Sequence, residues 1–252
     1  MNFRVAFYKE MLEQWRSYRF LITMVVLAAF GLSSPLIAKM TPQIMQLLPN
    51  GAQIALLIPA PTVADAVTQY VKNISQFGIL LALLLSMGSV SLEKEKGTAA
   101  MVLSKPLSRI AFLFSKFAAL SVTFLAALLV AGLGCFYYTL LLFEPLKIGA
   151  WFALNGLMLL YLLVYVALTI FFSTLSRSQF LTAGMAFGAL ILIGAVGALP
   201  GVGDYLPSAL INSGTALVSG MSVSHWTAVW VSLGMIVASL SGAWLVFRRQ
   251  EL

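Results

Sequence analysis

Long apolar runs separated by short polar segments dominate the chain. Residues 20–38 form the first uncharged run long enough to cross a hydrocarbon core of about 30 Å. Further runs follow at 74–92, 110–133, 151–172, 179–199 and 226–247. Residues 1–19 have a different pattern: Phe3, Phe7, Met11 and Trp15 recur at helical spacing among Arg4, Lys9, Arg16 and Arg19. That spacing predicts an amphipathic helix lying in the interface, with Trp15 and Tyr18 at headgroup depth. The expected fold is therefore all-α: a single polytopic membrane domain with six transmembrane helices and an N-terminal interfacial helix.

Breakers and caps refine the spans. Lys39–Asn73 holds Pro42, Pro49, Pro59 and Pro61 and reads as too polar to span, with short helices at Gln43–Leu48 and Ala52–Ile58. Thr62 with Asp65 three residues on predicts a capping box. From Val63 to Leu92 there is no proline, so one helix is expected throughout, its first turns standing outside the bilayer. Ser75, Gly78, Ala82, Ser86 and Ser89 form a small-residue face suited to close packing, as do Gly184 with Gly188 and Gly234, Ala238, Gly242. Pro200–Ser224, broken by glycines and Pro207, reads as an outer loop or a pair of short helices.

Composition fixes the solvent. Hydrophobic residues make up 61% of the 252 and charged residues only 9%, against about 25% charged in soluble domains. The net charge of +7 is then a matter of topology, not a nucleic-acid footprint. Twelve Lys and Arg fall on the side of the termini and the 93–109 loop, and only Lys39, Lys72 and Lys147 on the other. The positive-inside rule places both termini and that loop in the cytoplasm.

Little catalytic chemistry is on offer. A single cysteine, Cys135, excludes an intrachain disulfide, and the single histidine, His225, comes without HExxH or a ligand cluster. There is no GxxxxGK[ST], so ATP has no P-loop here. No Asp, Glu, Lys or Arg stands at mid-depth in a span, as a proton- or ion-coupled carrier would need. Gln76, Asn155, Tyr161, Tyr165 and Thr169 read as interhelical hydrogen-bonding groups. Lys116, one to two turns into the third span, is expected to snorkel back to the basic side. No cofactor or metal is expected, nor an enzyme. Any energised work must draw on a partner.

The sizeable polar interruption on the inner side is LEKEKGTAAMVLSKPLSRIAFLFSK, Leu92–Lys116. Its apolar segment Ala99–Leu103 stands between Gly97 and Pro106, which reads as a short surface helix offering an apolar face to something soluble. An ordinary basic loop fits the same residues. Gly97 suits a left-handed cap ending span 2, and Ser108 an N-cap for span 3.

Glu93, Gly97, Pro106, Ser108, Arg109 and Lys116, in E-x-x-x-G-T-(x)7-K-P-x-S-R-(x)6-K, resemble the ABC-2 type permeases, the six-span membrane subunits of a class of ABC transporters. Pro59-Ala-Pro-Thr62, Asp65-Ala66, Gln69-Tyr70, Asn73, Leu206-Pro207 and Asn212 are similar to the outer segments of a bacterial branch that includes nitrous-oxide-reductase-maturation and sodium-efflux or bacitracin-type permeases. The resemblance implies a bacterial inner-membrane exporter subunit. Its loop after span 2 would be a coupling helix, Gly97–Lys105, docking into a separate ATP-binding subunit. Glu93, Gly97, Met101, Leu103, Lys105, Pro106, Arg109 and Lys116 are the implied ATPase-coupling residues, with Glu93 and Arg109 pairing across the loop's base. The implied partners are two P-loop ATPases and a second permease subunit, alike or related. A non-transporting assembly or sensor protein that binds an ATPase is the alternative. The substrate is not legible.

Overall fold

The computed structural model describes residues 3–47, 60–98, 108–221 and 226–250, and among them the only regular structure is helical. The helices are α1 (Phe3–Arg16), α2 (Arg19–Gln46), α3 (Val63–Ser86), α4 (Ser91–Glu95), α5 (Arg109–Leu142), α6 (Ile148–Leu175), α7 (Gln179–Gly197), α8 (Ser208–Val218) and α9 (Thr227–Arg248), with a 3-10 turn at Gly203–Tyr205. Six segments are long and apolar enough to cross a membrane: α2, α3 continued by α4, α5, α6, α7 and α9. The chain is an all-α polytopic membrane protein.

Two helices organise the bundle. α6 packs on α3, α5, α7, α8 and α9, and Leu154, Leu162, Val166 and Ile170 along it are fully buried. α5 takes α2 along its length, and the approach is close because the residues are small: a Cβ on Gly31 would strike the backbone of Ala131. Gly78 in α3 likewise faces the Leu162 side chain, so the small-residue face of span 2 is a packing face, with Ala82 and Ser86 buried in it. α7 is the loosest element. Only Thr182 and Ala186 are buried, and nothing lies within 4 Å of a Cβ built on Gly184 or Gly188.

Two expectations about helix length are overturned. The first apolar helix does not stop at Ala38; α2 runs through Pro35 and Pro42 to Gln46, absorbing the start of the short helix expected from Gln43. Hydroxyls bond back to the backbone beside each proline. Ser34 donates to the Phe30 carbonyl at 2.5 Å and Thr41 to the Ile37 carbonyl at 2.8 Å, next to the carbonyls that each proline strips of a partner. Residues 48–59 lie outside the described residues, so the helix expected at Ala52–Ile58 does too. Conversely, span 2 is not one rod. α3 stops at Ser86, a turn covers 87–90, and α4 resumes at Ser91. Ser173 of α6 holds this break: its hydroxyl donates to the Met87 carbonyl at 2.9 Å and accepts from the Val90 and Ser91 amides at 3.0 and 2.9 Å.

Both ends of α3–α4 carry the expected caps. The Asp65 carboxylate accepts from the Thr62 amide and hydroxyl, each at 2.8 Å. Gly97 follows α4 with φ +68°, a conformation that costs a residue with a Cβ about 1 kcal/mol or more.

At the end remote from α4, a buried polar cluster ties four helices. Tyr70 donates to Asn155 Oδ1 at 2.6 Å, Asn73 to Ser34 Oγ at 3.0 Å, and Trp151 Nε1 to the Gly132 carbonyl at 3.1 Å. Asn155 is thus an interhelical group as expected. Thr169 is not: its hydroxyl bonds within its own helix, to the Tyr165 carbonyl.

Candidate ATPase-coupling site

The site is built where α1, α4 and the start of α5 meet. α1 has two functional stripes. Ala6, Glu10 and Gln14, at four-residue spacing, are its buried positions; Phe3 and Trp15 on the other stripe are exposed, as an interfacial face requires. The buried stripe docks on α5. Gln14 Oε1 accepts from the buried Thr123 hydroxyl at 2.5 Å. Two turns back along α5, Lys116 Nζ lies 3.1 Å from both carboxylate oxygens of Glu10 and 2.6 Å from Glu93 Oε1. Lys9 Nζ lies 3.2 Å from Glu10 and Glu93 and 3.7 Å from Glu13.

Lys116 therefore does not snorkel. Its side chain is 3% exposed, because α1 lies across its route to water and supplies the countercharge instead. Its ammonium also sits 4.8 Å from the Phe112 ring. Burial alone would lower the Lys9 pKa, but Glu10, Glu93 and Glu13 outweigh it and hold this ammonium above its ordinary value. Removing one partner of such a buried pair typically costs about 3–5 kcal/mol, since the other charge is left uncompensated.

Glu10, Glu13 and Glu93 place carboxylate oxygens within 4.8 Å of one another, a grouping that elsewhere could hold a cation. Here two ammonium groups already stand among the three carboxylates. The arrangement is an ion-pair cluster, adjoined by a cavity of about 30 Å³ that Gly88 and Ser89 of the helix break also line.

The pairing of Glu93 with Arg109 expected from the sequence does not occur. Arg109 reaches the last helix instead, its Nη1 donating to the carbonyls of Phe247, Arg248 at 3.0 Å and Gln250 at 2.9 Å. The Phe247 and Arg248 carbonyls belong to the last turn of α9 and Gln250 follows just past it, so one guanidinium nitrogen gathers carbonyls that a helix end leaves without an intrahelical donor. Lys94, beside Glu93, donates to the Thr174 carbonyl at 2.6 Å and to Gln250 Oε1 at 2.9 Å. Gln250 in turn donates to Thr174 at 2.9 Å. Ser108 caps α5 by accepting from the Ala111 amide at 3.2 Å.

The stems of the loop are thus anchored separately. Glu93 is fixed to α1 and α5, Lys94 to α6 and the chain's end, and Arg109 to α9. Of the sequence-derived residues, the structure joins Glu93 and Lys116 directly, places Gly97 at the turn after α4, and sets Arg109 on the opposite stem. Met101, Leu103, Lys105 and Pro106, with the rest of 99–107, lie outside the described residues, as does His225. The sequence reading missed Glu10, Lys9, Gln14, Ser173 and Gln250. A signal for the first existed: Ala6, Glu10 and Gln14 repeat at four-residue spacing beside the aromatic stripe, and a lysine inside an apolar run needs a carboxylate from somewhere.

The described residues thus form a six-span helical membrane bundle with an N-terminal helix docked on it and both stems of the loop after the second span anchored. Residues 5–252 match the ABC-2 family transporter protein family, and the chain belongs to it. It is 26% identical over 251 residues to an uncharacterized transmembrane protein, YxlG, of Bacillus subtilis (strain 168), covering 96% of each chain.

Proposed function

We propose that this chain is the permease subunit of an ATP-driven exporter and that it receives its energy through the 93–109 loop. One observation carries the reading: both stems of that loop are tied by charged hydrogen bonds into α1, α5, α6 and α9, so a displacement of the loop must move the helix bundle. Membership of the ABC-2 family supports an ATP-binding partner. On this reading Gly97–Lys105 docks into a P-loop ATPase, Met101 and Leu103 supplying apolar contact and Lys105 the rim. Glu93, Lys116, Pro106 and Arg109 hold the segment's angle. The complex holds two ATPases and a second permease subunit, alike or related. ATP stays with the partner; this chain binds no cofactor and catalyses nothing itself. On this reading both termini and the loop face the cytoplasm of a bacterium, which the excess of Lys and Arg on that side supports.

The test is gentle extraction from the native membrane followed by identification of what co-purifies. A soluble P-loop ATPase at near one-to-one, whose turnover drops when Glu93→Ala or Arg109→Ala replaces the wild type, is the expected result. A chain that emerges alone, under conditions where known complexes survive, overturns the reading, and an ATPase bound without ATP-dependent flux in vesicles leaves an assembly or sensor role instead. Cysteine in place of the exposed Asp204 should label from outside intact cells, and at position 105 only after permeabilisation; the reverse refutes the topology.

A further inference from the structure

A second feature at the basic end is independent of the coupling site. Between α5 and α9, next to the point where Arg109 clasps the end of α9, lies a groove of about 260 Å³ lined by Ile110, Phe114, Val237, Leu240 and Trp244, with the buried Leu113 among its lining residues. Its walls face outward: Ile110 is 54% exposed, Phe114 49% and Val237 64%. In a span those surfaces meet lipid chains. The mouth of the groove is cationic. The Arg248 guanidinium lies 5.6 Å from the ring of Trp244, itself a wall residue, and Arg249 follows, both exposed. Arg109 is engaged by three carbonyls, which leaves Arg248 and Arg249 to meet an external anion. Neither α5 nor α9 contains an acidic residue, so no carboxylate of the groove's own helices competes.

We propose that this groove is a binding site for an anionic phospholipid, one acyl chain lying along Ile110, Phe114, Val237 and Leu240 and the phosphate meeting Arg248 and Arg249. Apolar length and basic mouth are in the order that a headgroup and its chain require, and basic residues at the end of a span draw acidic headgroups. Charge also argues against a second copy in the same place. A two-fold interface is self-complementary, so one centred here would bring Arg248 and Arg249 against their own counterparts.

Native mass spectrometry of the full chain, released from detergent with added phosphatidylglycerol or phosphatidylcholine of matched acyl chains, tests this. Phosphatidylglycerol should be retained in preference. Arg248→Gln with Arg249→Gln should weaken its binding roughly thirtyfold and leave phosphatidylcholine unchanged, whereas Val237→Trp, which fills the groove, should weaken both. Equal retention of the two lipids, or phosphatidylglycerol binding unaltered in both variants, overturns the proposal. So does efficient disulfide cross-linking of Val237→Cys to itself in native membranes, which would put a second copy on the groove. None of these readouts involves an ATPase, so the site stands or falls apart from the coupling reading.

Discussion

Replacing Lys116 by methionine removes an ammonium and keeps most of the side-chain volume. Two carboxylates then remain under α1: Glu10, 9% exposed, and Glu93, whose Oε2 already has no hydrogen-bond partner among the described residues. Breaking a buried pair in this way costs about 3–5 kcal/mol. Lys9 stays 3.2 Å from both carboxylates but is partly solvated, so the lower end, about 3 kcal/mol, is expected. For a chain of this size that corresponds to a fall in melting temperature of roughly 6–12 °C, readable by thermal unfolding of the purified protein in detergent. The double variant Lys116→Met with Glu10→Gln decides the cause. It leaves Glu93 paired with Lys9, so its loss should be smaller than the sum of the single losses by at least about 1 kcal/mol. A Lys116→Met protein that melts with the wild type, or a double variant whose losses simply add, would refute the buried ion-pair account of how α1 is held.

Two further outcomes follow from the packing. Ser173→Ala leaves the Val90 and Ser91 amides buried without the hydroxyl that now accepts from them, at a cost of about 1–3 kcal/mol; hydrogen exchange at these two amides should quicken well beyond that of α3, and unchanged protection would mean the break is held otherwise. Gly31→Leu drives a side chain into the backbone of Ala131 and should destabilise by about 3 kcal/mol or more, seen as lost folded yield and a lower melting point, whereas Gly184→Leu, in open surroundings, should be tolerated; equal behaviour of the two would contradict the α2–α5 contact.

The spans were legible because lipid leaves the sequence no choice: an uncharged run of some twenty residues has few other fates. Proline misled at the end of α2. Its punctuation rules come from water-soluble helices, whereas here Ser34 and Thr41 back-bond beside Pro35 and Pro42 and the helix continues. The break in α3–α4 was hidden for the opposite reason. No proline marks it, and the residue that holds it, Ser173, lies over eighty positions away. In the candidate site, Glu93 and Lys116 could be named from the motif, but their partners could not. Arg109 caps α9 rather than meeting Glu93 because three carbonyls at a helix end outbid one carboxylate that already has two lysines. Such choices are settled by tertiary geometry, which spacing along the chain does not encode.

The ion cluster also bears on biogenesis. A ribosome delivers Glu10 first, then Glu93, and Lys116 last. The lone cation that enters the third span thus arrives when both of its counterions have already been made, and it need never wait in hydrocarbon uncompensated. Nascent chains arrested before residue 116 should therefore leave a probe at position 10 open to water-borne reagents, and chains arrested after α5 has emerged should shield it. Read as a timetable, the cluster is a check on insertion order: α1 cannot settle onto the bundle until the third span is in place.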